Sequence, residues 1–285
     1  MKITSYNLFS RDALERGKKY AIEHSYSLGF EGVEFFDNLF EDRIGNDTAC
    51  DLKTAKKWLK ERNLNVACYS ILIPDIASPD YTEEEILKNV YRNVDYAAEL
   101  ESPFFHHTIV SKYYPTGDEE SFETVFERCI DRVDKVAKYC NERGMTCLYE
   151  PQGLYFNGLD GLGRLLREML ARGNKVGICG DMGNSLFADT NPSDIYKTFK
   201  DHIKHVHVKD YHTSYKPISD EYKSMGGRYL DDATPGEGIV DIEGCLEYIK
   251  GYDGNISLES PQKTDEAVLR DIAFVREMYA KVNGK

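Results

Sequence analysis

The chain has 285 residues, of which 41% are hydrophobic and 30% are charged, a composition typical of folded globular proteins and outside the range of disordered chains. Its net charge of −13 argues against nucleic acid as a partner, because proteins that bind nucleic acids need a basic surface to contact the phosphates. The N-terminus lacks the apolar core of a signal peptide, and no segment approaches the roughly 20 apolar residues that span a bilayer, so we expect a cytoplasmic protein without membrane contact.

Eight short runs rich in β-forming residues alternate with longer segments whose apolar residues recur every three and four positions, which is the period of a helix. The predicted strands, in chain order, are residues 2–6, 32–36, 65–71, 103–109, 146–151, 175–181, 203–209 and 255–261. Helical patterns lie between them and have matching boundary signals. Thr82 precedes three glutamates, as in a capping box, and Gly144 follows the long fourth helix as a C-terminal stop.

Alternating strands and helices require parallel strands with right-handed crossovers, and eight such units close into a barrel. We therefore predict an α/β protein with a single (β/α)₈ TIM barrel over residues 1–285. An open doubly wound sheet is the alternative, but no glycine-rich dinucleotide or phosphate loop follows the first strand.

One long stretch, residues 210–238, fits neither the helical nor the strand pattern. It would leave the C-terminal end of the seventh strand, which in a barrel is the active-site face. Loops of this length in compact domains are usually functional or disordered. We predict an active-site lid here, with a disordered insertion as the alternative.

The last four barrel strands each end in a polar residue that packing alone would not select, namely Glu150, Asp181, His207 and Glu259. Three acids and a histidine that converge at one barrel mouth need a cation, because an unpaired buried carboxylate is costly. Each acid taken singly fits a salt-bridged strand end equally well, but the four together favour a metal. This oxygen-rich set suits Mn²⁺ first, then Mg²⁺ or Co²⁺, with Zn²⁺ as a further option.

Other polar residues near the strand ends are candidates for contact with a substrate. Glu34 ends the second strand, with a plain salt bridge as its alternative role. His106 and His107 point in opposite directions on the fourth strand, so only one can face the mouth, and the sequence leaves open which. Lys209 begins the long segment, and Arg228 within it is the best cation for a substrate phosphate; for both, a solvated charge is the alternative.

The motifs GFEGVEFF, LYEP, GICGDMGN, HIKHVHVKD, PGEGIVD and ISLESP lie in the order and spacing of one known family. Over essentially its whole length the chain resembles the sugar phosphate isomerase/epimerase family of xylose isomerase-like barrels. That family includes ketose 3-epimerases, hydroxypyruvate isomerases, inosose dehydratase and 3-dehydroshikimate dehydratase. The resemblance implies that Glu150, Asp181, His207 and Glu259 bind the metal.

At three positions the chain differs from members of the family that it resembles. Many members have a substrate-contacting histidine where this chain has Asn184, and some dehydratases have a histidine at the position of Gln152. Ketose 3-epimerases have an arginine shortly after the seventh-strand histidine, and none follows here. We assign Asn184 and Gln152 to the substrate site, but the departures argue against those particular subgroups.

The resemblance implies a divalent-metal-dependent isomerase or epimerase of a sugar or sugar-like polyol that forms an enediolate, with Glu150 and Glu259 as acid and base. A dehydratase or lyase of a keto-sugar or keto-cyclitol is the alternative, since it shares that intermediate. An endonuclease-like hydrolase for abasic DNA and a non-catalytic binding barrel fit less well, because the chain is acidic and all four ligand positions are filled. Family members often pair, so a homo-oligomer is compatible with the sequence, which locates no interface.

Overall fold

The computed structural model describes residues 1–36, 50–72, 74–216 and 222–284. Its strands in chain order are β1 (Lys2–Ser5), β2 (Gly32–Phe36), β3 (Asn65–Ile71), β4 (Phe104–His107), β5 (Thr146–Tyr149), β6 (Val176–Asp181), β7 (Ile203–Val208), β8 (Asp210–Ser214), β9 (Tyr229–Ala233) and β10 (Asn255–Leu258). Its α-helices are α1 (Asn7–Arg16), α2 (Lys18–Ser27), α3 (Leu52–Glu61), α4 (Glu83–Glu99), α5 (Phe122–Glu142), α6 (Leu159–Ala171), α7 (Pro192–Phe199), α8 (Ile242–Tyr248) and α9 (Asp265–Asn283).

Eight of these strands form a closed barrel in the order β1-β10-β7-β6-β5-β4-β3-β2, and all neighbouring pairs are parallel. The barrel closes where β1 pairs with β10, from Lys2 opposite Asn255 to Ser5 opposite Leu258. The predicted fold class is confirmed. Each of the eight predicted strands is present, with ends that differ by at most a few residues.

The predicted helix signals act as expected. Thr82 caps α4 by accepting a bond from the Glu85 backbone N–H (3.3 Å), while the Glu85 side chain accepts from the Thr82 N–H (2.9 Å). Gly144 adopts a left-handed conformation (φ +80°) just after α5. Within the described ranges, no helix is both long enough and apolar enough to cross a membrane.

The barrel interior changes from apolar to polar along its axis, and the polar residues lie toward the C-terminal mouth. Cys68, Leu148 and Cys179 form a small buried cluster with Phe104 packed against it. Because side chains alternate along a strand, the residue two positions after each of these points the same way but lies nearer the C-terminal mouth. Those next inward positions are occupied by Ser70, His106, Glu150 and Asp181.

The segment predicted as an irregular loop contains an antiparallel hairpin, so that prediction is wrong in part. Strands β8 and β9 pair from Asp210 opposite Ala233 to Ser214 opposite Tyr229. Residues 217–221, between these strands, lie outside the described residues. The sequence did not reveal the hairpin because its strands are short and largely polar and no two-residue turn motif joins them. Its action as a lid stays a prediction.

Candidate metal centre

The four predicted metal ligands meet at the C-terminal mouth of the barrel. Glu150, Asp181, His207 and Glu259 each offer a ligand atom, and all four atoms lie within 4.8 Å of one another. Nδ1 of His207 lies 3.2 Å from Glu259 Oε2, 3.7 Å from Glu150 Oε1 and 3.9 Å from Asp181 Oδ2. Glu259 is the most exposed of the four, with 18% of its side chain accessible, so the cluster opens toward the mouth on the β10 side.

The donor set fits a divalent cation. In the described part of the chain, Asp181 Oδ2 and His207 Nδ1 are buried without a hydrogen-bond partner, and both face the cluster. The second oxygen of Asp181 is held by the backbone N–H groups of Gly183 (2.7 Å) and Asn184 (2.5 Å). Burial, reinforced by Glu259 and Glu150 against the opposing effect of Lys209, raises the pKa of Asp181 to about 7. A bound cation would relieve this crowding of negative charge.

Lys209 is the one lysine or arginine that the described residues place against the carboxylates of the cluster. Its ammonium lies 2.5 Å from Glu259 Oε1 and 3.8 Å from Asp181 Oδ2, and it donates to Asn184 Oδ1 (3.2 Å). Burial alone would raise the pKa of Glu259, but Lys209 and His207 outweigh it and lower the pKa to about 2. Glu259 is therefore ionised at neutral pH.

Glu150 is held by two polar neighbours. Asn184 donates to its Oε1 (2.7 Å), and His106 Nε2 lies 3.3 Å from its Oε2. Burial lowers the pKa of His106 to about 4, so its ring is neutral at pH 7. Of the two adjacent histidines, His106 thus faces the mouth. His107 points to the other side, where its ring meets Tyr149 edge-on at 5.8 Å.

Glu34 lies in the barrel beside His207 and is fully buried. Its carboxylate contacts His205 and His207 and accepts from two serine hydroxyls. Burial raises the pKa of Glu34, but the two histidines outweigh it and hold the pKa well below its ordinary value. The substrate contact predicted for Glu34 stays a prediction, and the geometry gives this residue several protein partners instead.

The remaining predicted substrate residues lie in different surroundings. Gln152 accepts from Thr108 Oγ1 (2.7 Å) and donates to the Tyr113 hydroxyl (3.1 Å), so its amide is fixed between the loops after β4 and β5. Arg228 pairs with Asp189 at 3.0 Å, so its charge is engaged outside the ligand cluster.

Asp210 is an organising residue that sequence reasoning missed. Its buried carboxylate accepts from four backbone N–H groups, those of Tyr211 (2.8 Å), Gly236 (3.0 Å), Gly238 (2.9 Å) and Val240 (3.0 Å). A Cβ at Gly238 would lie 2.1 Å from an Asp210 oxygen and 2.6 Å from the Tyr211 carbonyl oxygen, so any other residue there would displace the Asp210 carboxylate or the backbone. The aspartate of HVHVKD and the glycines of PGEGIVD are therefore parts of one cradle, which fixes the chain directly after Lys209.

Aromatic rings surround the site on two sides. Tyr113, Phe187, Tyr211 and Tyr222 form one contiguous cluster, with ring centroids 4.7 to 6.3 Å apart in the contacting pairs. On the opposite wall, Tyr6 lies over the His207 ring at 5.1 Å. Tyr6 directly follows β1, whereas the other four residues come from the hairpin and from connections between strands and helices, which no strand pattern in the sequence marks.

Comparisons with known proteins agree with this geometry. Residues 22–278 match a family described as Xylose isomerase-like TIM barrel. An inosose dehydratase of Clostridium botulinum (strain Alaska E43 / Type E3) is 24% identical over 296 residues, covering 95% of this chain and 92% of that protein. Two solved structures superpose with a TM-score of 0.73, and at their identities they show the fold alone. They are D-psicose 3-epimerase with D-tagatose from Clostridium cellulolyticum H10 (15% identity, 98% of this chain and 99% of that one) and 3-keto-D-glucoside 4-epimerase from E. coli (19%, 97% and 99%).

Proposed function

The chain belongs to the Xylose isomerase-like TIM barrel family, and on that premise we propose that it is a divalent-metal-dependent isomerase or epimerase of a small sugar-like substrate. The observation that carries the proposal is the convergence of Glu150 and Glu259, from strands on different sides of the barrel, on one cluster with Asp181 and His207. The reaction begins with removal of a proton from a carbon next to a carbonyl.

Glu150, Asp181, His207 and Glu259 would hold the cation. When bound, a divalent cation would polarise the substrate carbonyl and lower the barrier to loss of the neighbouring proton. We propose Mn²⁺ as the cation, with Mg²⁺, Co²⁺ and Zn²⁺ as alternatives.

The two glutamates carry the proton. Glu259 is ionised at neutral pH and would accept a carbon-bound proton, which it passes on to water, while a proton taken from water through Glu150 would be delivered from the other side of the substrate. Delivery to the same carbon gives an epimer, and delivery to the neighbouring carbon converts a ketose to an aldose. Asn184 donates to Glu150 and accepts from Lys209, so it would fix the positions of these two side chains relative to the substrate hydroxyls.

Dehydration is the second candidate function. It is supported by the similarity to an inosose dehydratase along 95% of the chain. The same enediolate loses a hydroxyl group from the next carbon in that reaction, and the leaving oxygen needs a proton donor. The Lys209 ammonium, buried beside Glu259, is the group placed to supply hydrogen bonds there.

The proposal also gives roles to residues outside the four-residue cluster. His106 and Gln152 would orient substrate hydroxyls, because both lie at the mouth on the side of Glu150. Phosphate binding by Arg228 stays a prediction, and its pairing with Asp189 gives it no support. A cytoplasmic location and a homo-oligomeric state also remain predictions.

The experiment is a screen of ketoses, inososes and keto-glycosides, free and phosphorylated, with Mn²⁺-loaded protein in D₂O. We expect deuterium at a carbon next to the carbonyl, and the product then separates epimerisation, isomerisation and loss of water. Glu150→Gln and Glu259→Gln should each lower the rate at least about 100-fold, the scale of a positioned acid or base. Glu243→Gln, on the surface of α8, is the matched control and should keep full activity. Near-normal exchange in either site variant would exclude that glutamate as a proton carrier.

A further inference from the structure

Glu34 has an unusual position for a glutamate. The β2–β3 register shifts between Val33 and Phe35, where Glu34 of β2 lies opposite two residues of β3, Ala67 and Cys68. Its side chain is fully buried, and both oxygens are used: Ser70 donates to Oε1 (2.7 Å) and Ser257 donates to Oε2 (2.6 Å). Because the serine hydroxyls come from β3 and β10, the carboxylate is fixed from two sides.

Two imidazoles also face this carboxylate. His205 Nε2 lies 2.7 Å from Oε2, and His207 Nε2 lies 3.1 Å from both oxygens. An ionised carboxylate only accepts hydrogen bonds, so the nitrogen facing it must carry the hydrogen. His207 therefore donates through Nε2–H, which leaves Nδ1 as the atom with the lone pair when the ring is neutral.

That Nδ1 atom is the one that faces the ligand cluster. It has no hydrogen-bond partner among the described residues and lies 3.2 Å from Glu259 Oε2. Histidines that bind metals commonly donate their other ring N–H to a carboxylate, which fixes both the tautomer and the orientation of the ring.

Resting on the proposed metal centre, we propose that Glu34 is its positioning residue: it locks His207 in the Nε2–H tautomer, so that Nδ1 is presented to the cation. Glu34 itself contacts neither the cation nor the substrate in this role. The serines and His205 hold Glu34, and Glu34 holds His207.

The same arrangement selects between two possible donor sets. Ligand atoms of Cys179, His205 and His207 also lie within 4.8 Å of one another, deeper in the barrel. Binding a cation through Nε2 of either histidine would break its bond to Glu34. Glu34 therefore favours the carboxylate-rich set at the mouth over any binding through Nε2 in the deeper set.

The direct test is the ¹⁵N and ¹H NMR spectrum of the His207 ring in the wild-type protein, metal-free and loaded with diamagnetic Mg²⁺ or Zn²⁺. We expect a hydrogen on Nε2 in both states, with only the Nδ1 signal responding to the metal. A ring that carries its hydrogen on Nδ1 with a bare Nε2 would overturn the inference. This measurement needs no variant and so does not depend on whether one folds.

The second test is metal affinity by titration calorimetry. Glu34→Gln presents an amide that can donate toward an imidazole, and it should weaken Mn²⁺ binding by about 10 to 100-fold, the usual effect of losing such a partner. Ser70→Ala removes one bond to the same carboxylate without touching His207, and its affinity should stay within about threefold of wild type. Unchanged affinity in a folded Glu34→Gln protein would refute the role. If wild type itself binds no divalent cation, the metal centre fails rather than Glu34.

Discussion

Lys209→Met tests how the charges of the site are balanced. Two carboxylates of the cluster lie beside one lysine at the mouth, with Nζ 2.5 Å from Glu259 Oε1 and 3.8 Å from Asp181 Oδ2. Two unit charges about 4 Å apart interact by about 4 kcal/mol at an effective dielectric constant of about 20. Without the Lys209 ammonium, the net charge of the cluster is more negative, and its attraction for a divalent cation is stronger. If a third of one such interaction energy, about 1.4 kcal/mol, is added to the free energy of cation binding, the affinity of the site for the cation rises about tenfold.

The assay is calorimetric titration with Mn²⁺, combined with thermal unfolding of the metal-free protein. We expect Lys209→Met to bind Mn²⁺ at least about tenfold more tightly and, without metal, to be less stable by about 3 kcal/mol or more, as when one partner of a buried ion pair is removed. Lys112→Met is the control, since Lys112 pairs with Asp118 and Glu119 and is partly exposed. Equal or weaker Mn²⁺ binding by a folded Lys209→Met protein would refute the charge-balance argument.

Two further predictions concern carboxylates outside the ligand set. Asp210→Asn replaces one acceptor oxygen by an amide that cannot accept from the cradle, so urea unfolding should show a loss of about 3 kcal/mol, and a loss below about 1 kcal/mol would contradict the cradle. Burial raises the pKa of Asp271, so its contribution to stability is present below the unfolded-state pKa and is lost as pH rises through the folded-state value. Asp271→Asn should therefore raise the Tm by about 2 °C or more at pH 8 but not near pH 3, and a Tm difference independent of pH would contradict this sign.

Much of the fold could be predicted because the barrel repeats one simple unit. Residues 65–71 and 203–208 are continuous β-rich runs between helical patterns, and their predicted and observed bounds agree closely. The convergence of the four polar strand-end residues could be predicted for a related reason. Parallel strands in a barrel end at one face, so the polar residues Glu150 and Asp181 at adjacent strand ends must be neighbours.

Other features depend on details that no sequence pattern contains. Whether the side chain of His106 or that of His107 faces the barrel interior depends on how β4 is oriented between its neighbouring strands. The sequence shows only that the two side chains point in opposite directions. Glu34 lies at a bulge, and a one-residue irregularity re-aims a side chain without any change in composition. Asp210 forms its cradle with glycines 26 and 28 positions further on, a contact that only the folded chain shows.

The proposed chemistry depends on the binding of a divalent cation by Glu150, Asp181, His207 and Glu259. Metal content by mass spectrometry, after loading with Mn²⁺ and dialysis, tests it most directly. We predict about one equivalent per chain in the wild type and loss of most of it in Asp181→Asn, whose unpartnered oxygen faces the cluster. Less than about a tenth of an equivalent in the folded wild-type protein would contradict the metal centre and the chemistry proposed for it.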